Sequence, residues 1–132
     1  MTKYLNYLIP LQINSTCDTP EVYLSVSEIS SFRGRSLPEN AFDFYEPILE
    51  WVKRMVKMNA SSFTLELQLD YFNSSSGRFL YEMLHIMDQS NFRNSYNIIW
   101  KYEPDDDLMF ERGEAFQALC SLPFHFEEIK KQ

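Results

Sequence analysis

Ser62-Phe63-Thr64-Leu65-Glu66-Leu67-Gln68-Leu69-Asp70, followed at once by Tyr71-Phe72-Asn73-Ser74-Ser75-Ser76-Gly77-Arg78, is the stretch on which the fold class turns. Phe63, Leu65, Leu67 and Leu69 alternate with Thr64, Glu66, Gln68 and Asp70. Successive side chains of a strand point to opposite faces, so this run spells a strand with one apolar and one polar face. The period then changes. Phe79, Leu80, Met83, Leu84 and Met87 recur at three- and four-residue spacing, the stripe of an amphipathic helix whose outer side carries Arg78, Glu82, His85 and Gln89. Ser74-Ser75-Ser76-Gly77 opens that helix, with one serine as N-cap and the others filling the first turn.

Downstream, Asn91 to Asn94 reads as a loop and Tyr96 to Tyr102 as a strand. Pro104-Asp105-Asp106-Asp107 caps a third helix reaching about Leu119, and Phe124 to Ile129 forms a last strand. Strand, helix, strand, helix, strand in this order implies right-handed parallel crossovers. Upstream, Tyr4 to Leu11, Glu21 to Ser27 and Ile29 to Ser36 give two or three short antiparallel strands, separated by Asn14-Ser15-Thr16 and Asp18-Thr19-Pro20. Asn40 then caps a helix running to about Met58, whose buried face is Tyr45, Ile48, Leu49, Val52 and Val56. Pro47 lacks a backbone donor and predicts a first turn kinked or set apart from the rest. The expected fold is α/β: a single domain over residues 1–132 with a mixed sheet, N-terminal antiparallel strands preceding β-α-β-α-β.

A chain of 132 residues with 16% aromatics holds one sizeable core. Its 12 Lys+Arg against 19 Asp+Glu leave no basic stripe for a phosphate backbone, which excludes nucleic-acid binding. No run of about 18 apolar residues is present to insert in a bilayer, and Met1 to Tyr7 lacks the apolar centre of a signal peptide, so the expected location is cytoplasmic. Cys17 and Cys120 are too few for a disulfide framework and have no metal-ligand spacing.

Three hydroxyls, Ser74, Ser75 and Ser76, fall at the C-terminal end of a parallel strand and the start of a helix. A phosphate there meets free backbone N–H groups and the positive end of the helix dipole, which suits a phosphorylation switch. The pattern is neither a P-loop nor a nucleophile elbow, since GxxxxGK[ST] and GxSxG are both absent. His85 on a polar helix face and His125 in the last strand have no partner at catalytic or metal spacing, so no catalytic or metal residue is assigned. Asp105-Asp106-Asp107 needs only the dipole of the helix it opens, and Glu111-Arg112-Gly113-Glu114 reads as a solvated helix face weakened by its glycine. A small anion- or ligand-binding sensor that uses the same helix N-terminus is the alternative.

Leu37-Pro38-Glu39-Asn40, Ile48-Leu49-Glu50-Trp51-Val52, Leu65 through Ser76 and Leu122-Pro123-Phe124 together resemble the SiaC-type regulatory phosphoproteins of bacteria. That family is similar in shape to the anti-sigma-factor antagonists, so the resemblance implies a STAS-like, non-enzymatic switch protein without a cofactor. It further implies phosphorylation by a dedicated Ser/Thr kinase, reversal by a PPM-type phosphatase, and binding of the dephosphorylated form to an effector such as a diguanylate cyclase. The family's acceptor is the hydroxyl directly after Asn, here Ser74, with Ser where the family branch carries Thr. Aligning Gly77 on the Asp-Ser-Ser-Gly turn of the antagonists makes Ser75 the alternative. Tyr71, Asn73, Ser76 and Arg78 are then the expected partner-binding residues around the switch.

Overall fold

The computed structural model describes residues 8–130. Its strands are β1 (Leu11–Ile13), β2 (Glu21–Leu24), β3 (Ser30–Ser36), β4 (Phe63–Phe72), β5 (Tyr96–Tyr102) and β6 (Phe124–Glu128). Its helices are α1 (Ala41–Lys57), α2 (Ser74–Met87) and α3 (Asp107–Ala118), and a 3-10 turn at Arg93–Ser95 leads into β5. The strands lie side by side in chain order, β1 to β3 antiparallel and β3 to β6 parallel, so the sheet is mixed and the chain is one α/β domain.

That strand order decides where the helices go. Each parallel connection steps to the next strand in the same direction, and right-handed crossovers stepping one way deposit every helix on the same face. Burial follows: Phe63, Leu65, Leu67 and Leu69 of β4 are buried with Tyr96, Ile98 and Trp100 of β5, whereas Thr64, Glu66 and Gln68 are only half-buried. The helix-free face carries ions instead. Glu66 Oε1 there lies 3.6 Å from Arg33 Nη2 and 3.5 Å from Lys101 Nζ.

Several boundaries differ from the sequence expectation. Tyr4 to Tyr7 of the first expected strand lie outside the described residues, and the observed strand begins only at Leu11, after Pro10. β2 stops at Leu24 because Ser25 turns the chain: its Oγ accepts from the N–H groups of Ser27 and Glu28. α1 runs unbroken through Pro47. The carbonyl orphaned by that proline belongs to Asp43, which is exposed like Pro47 itself, so it is open to solvation and the helix need not separate. Asn40 caps α1 as expected, accepting from the Asp43 N–H at 3.1 Å. At the other end Asn59 takes φ 59°, and the N–H groups of Asn59 and Ala60 reach back to Val56 and Met55 in a Schellman closure.

β4 continues two residues beyond Asp70. Between Gly34 and Arg35 the pairing shifts from Leu69 to Tyr71, leaving Asp70 as the extra residue of a bulge. The bulge reverses the inward phase, turning Phe72 into the core where simple alternation would leave it outside. Gly34, opposite it, has φ 121°, a conformation side chains resist.

Candidate functional site

The bulge fixes the site, because it sets where β4 ends and therefore which residue caps α2. Asn73 is that residue and not a serine: its Oδ1 accepts the Ser76 N–H at 2.9 Å, and its carbonyl accepts the Gly77 N–H at 2.9 Å. Ser74, Ser75 and Ser76 are the first three helical residues. The turn is tied to β3, since the Asn73 N–H donates to the Ser36 carbonyl at 3.2 Å. Gly77 permits the approach of the Phe72 ring, which a Cβ there would meet at 3.2 Å.

Ser74 and Ser75 are exposed, and their N–H groups have no carbonyl four residues back inside the helix. Arg78 is exposed one turn along from Ser74. Tyr71 is 40% exposed beneath the guanidinium of Arg112, and Asn73 is half-buried by its capping role. Ser76 departs from the expectation of a contact residue. It is fully buried, its Oγ donating to the Ser36 carbonyl at 2.9 Å, so it presents nothing to a docking surface and serves to hold the turn.

Beside this turn lies a groove of about 710 Å³. Phe42 of α1 forms one wall, Phe79 and Phe116 line it from α2 and α3, and Tyr81, Glu82 and His85 extend it along α2. Phe42 is 56% exposed and Tyr81 37%, an unusual apolar display next to three serines. His85 stacks on Tyr81 with ring centres 6.0 Å apart. His125 projects from the helix-free sheet face, where its Nε2 lies 3.3 Å from Asn97 Oδ1, so the two histidines do not converge. Among the described residues no group of three His, Cys, Asp or Glu side chains could hold a metal, and Asp106 is the cap of α3, accepting the Met109 N–H at 3.0 Å.

Two features escaped the sequence reading. The run Glu111-Arg112-Gly113-Glu114 is not simply a solvated face: Arg112 Nη1 donates to the Phe72 carbonyl at 2.7 Å and its guanidinium covers the Phe72 ring at 4.7 Å. Gly113 is buried against Trp100 and Phe126. Tyr45 was expected to be buried, but its pairing with Ser36 was not foreseen. A tyrosine on an apolar helix stripe signals a buried phenol in need of a partner, and that partner is Ser36 Oγ at 2.6 Å.

The sequence profile of the SiaC family regulatory phosphoproteins matches residues 13–129. The chain belongs to this family. SiaC of Pseudomonas aeruginosa in its apo form superposes with a TM-score of 0.82 at 26% identity, covering 90% of this chain and 98% of that one. A second SiaC structure, solved as the activator in complex with the diguanylate cyclase SiaD of the same organism, gives 0.83 at 26% identity, covering 90% and 99%. An uncharacterized protein of P. aeruginosa strain UCBPP-PA14 is 27% identical over 95 residues, 71% of this chain and 75% of that protein. No described helix is long and apolar enough to cross a membrane.

Stability of the turn is open to a direct check. Asn73→Ala removes the acceptor of the Ser76 N–H and is expected to cost about 1 kcal/mol. Amide exchange at Ser76 and Gly77 should quicken more than exchange in β5; equal protection in both proteins would show that the cap contributes nothing.

Proposed function

We propose that this chain is a non-enzymatic switch that binds and regulates an effector protein through the groove beside Ser74, and that phosphorylation of Ser74 turns the contact off. The observation that carries the reading is the coincidence of two exposed hydroxyls, free helix N–H groups and an exposed apolar groove at one place. The effector class is taken from the relative: SiaC activates a diguanylate cyclase and is seen bound to it, so a diguanylate cyclase is the partner proposed here, with cyclic-di-GMP as the output. A Ser/Thr kinase writes the mark and a PPM-type phosphatase removes it. Tyr71 and Arg78 contribute to the contact surface, Asn73 shapes it, and Ser76 supports it from below. Ser75 is the alternative acceptor, also exposed one residue further into the helix.

Intact mass after incubation with the cognate kinase distinguishes the two serines. The expected result is one phosphate on the wild type and on Ser75→Ala, and none on Ser74→Ala. Full uptake by Ser74→Ala with none by Ser75→Ala would move the switch to Ser75, and no uptake by the wild type would remove the switch altogether.

The groove volume also falls in the range of small-molecule sites, roughly 300–1,000 Å³, which keeps a ligand sensor as the second reading. An anion bound in the absence of any kinase, and lost in Ser74→Ala, would favour it.

A further inference from the structure

Tyr45, Ser36 and Ser76 are each fully buried in a core that is otherwise mainly apolar, and they come from three different elements: α1, the end of β3 and the first turn of α2. Their hydrogen bonds have a direction. Ser76 Oγ donates to the Ser36 carbonyl at 2.9 Å and Ser36 Oγ donates to Ser76 Oγ at 2.8 Å. Ser36 has then used its one proton, so at 2.6 Å its oxygen accepts from the phenol of Tyr45. All three protons are committed. Displacing Ser76 therefore takes the acceptor from the Ser36 hydroxyl, and displacing Ser36 takes the acceptor from the Tyr45 phenol, each of which a low-dielectric core opposes strongly. Burial also pushes the Tyr45 phenol up from its ordinary 10.0, with the serine hydroxyls drawing it back in part, and this keeps it in its donating form.

The ring of Tyr45 makes a second connection. It stacks on Phe79 with centres 5.5 Å apart and planes 6° from parallel, and Phe79 meets Phe42 at 6.5 Å. Phe79 and Phe42 both line the groove. One side chain is thus connected to both halves of the site: its hydroxyl is linked through Ser36 to the turn that carries Ser74, and its ring supports the groove wall.

Resting on the reading of Ser74 as the switch, we propose that Tyr45 is a positioning residue that couples the first turn of α2 to the first turn of α1, so that charge placed on Ser74 is transmitted to the Phe42 wall. The hydroxyl chain and the ring stack form a contiguous path between two helix starts, as coupling through packed elements requires.

Amide exchange followed by NMR on the full chain tests this in four proteins: wild type, Ser74→Glu, Tyr45→Phe and the double variant. The Gly77 N–H, bonded to the Asn73 carbonyl, reports on α2, and the Phe44 N–H, bonded to the Asn40 carbonyl, reports on α1. Ile98, whose N–H is bonded to the Pro123 carbonyl, reports on the sheet. With Tyr45 present, Ser74→Glu should change exchange at both Gly77 and Phe44, the latter by about fivefold. With Tyr45→Phe in the background, Gly77 should still respond and Phe44 should not. A general loss of stability raises exchange at Ile98 as well and cancels when each Ser74→Glu protein is compared with its own background. An undiminished Phe44 response in the Tyr45→Phe background, or none in the native one, overturns the coupling. Should Tyr45→Phe fail to fold, Ser76→Ala breaks the same path from its other end, with the same expectation. Failure of the Ser74 reading shows separately, as absence of phosphate uptake at that residue.

Discussion

Gly113→Ala is expected to destabilise the protein by about 2–3 kcal/mol, in the upper part of the usual range for overpacking a core. Two effects oppose each other. Alanine in a helix interior is worth up to about 1 kcal/mol more than glycine. Against that, the new Cβ would sit 2.5 Å from Trp100 Nε1, 2.6 Å from Trp100 Cδ1 and 2.8 Å from Phe126 Cε2, all closer than real carbon atoms approach. The indole cannot move aside cheaply. Trp100 is buried, its Nε1 donates to the Met109 carbonyl at 2.9 Å, and its ring packs on Phe116 at 5.6 Å and Phe72 at 6.3 Å. Relief therefore requires α3 to shift off the sheet, which would also draw Arg112 from the Phe72 carbonyl and loosen the strand end before Ser74. Urea unfolding checks this: the midpoint should fall with little change in slope. A variant as stable as the wild type would show that α3 does not pack on β5 this closely.

The same glycine shows where sequence reading stops. The four charged and small residues from Glu111 to Glu114 have the local pattern of a solvated face, and nothing within a helical turn reveals that Arg112 is paired with a carbonyl 40 positions away. Patterns of short period fared better. The alternation in β4 and the three-four stripe of α2 are imposed by a helix-covered sheet face, so the strand with its one polar face and the helix could be read from them, and the order of elements gave the mixed sheet. The bulge at Asp70 interrupts the period at two aromatics, Tyr71 and Phe72, either of which could have pointed inward. That ambiguity passed to the cap. Asn73 and three serines are all competent N-caps, and only the phase reversal at Asp70 selects Asn73 and leaves Ser74 and Ser75 on the surface. Ser36 is an isolated hydroxyl in sequence, and its role arises only when β3, α1 and α2 meet.

Phosphorylation of Ser74 is expected to weaken effector binding by about hundredfold or more, the scale on which an uncompensated buried charge acts at an interface. Within the free protein such a modification would be well tolerated. A phosphate on Ser74 would stand at the first residue of α2, close to N–H groups without helical partners and to the positive end of the dipole, with Arg78 one turn away. At the interface the balance reverses. A partner that covers Phe42, 56% exposed, and Tyr81, 37% exposed, must present apolar surface, and docking it would strip water from the doubly charged group. The net charge of −7 adds general repulsion from an acidic partner but is a weaker effect, since salt screens it beyond about 8–10 Å. Ser74→Asp should show a smaller loss in the same direction, because a carboxylate carries one charge and fewer acceptor oxygens.

The switch is tested most directly by titration calorimetry of the proposed effector, a diguanylate cyclase, with the unmodified chain and with the chain phosphorylated at Ser74. A measurable complex is expected with the unmodified protein, and an affinity at least about hundredfold lower with the phosphorylated one. Equal affinities for the two forms would contradict the switch.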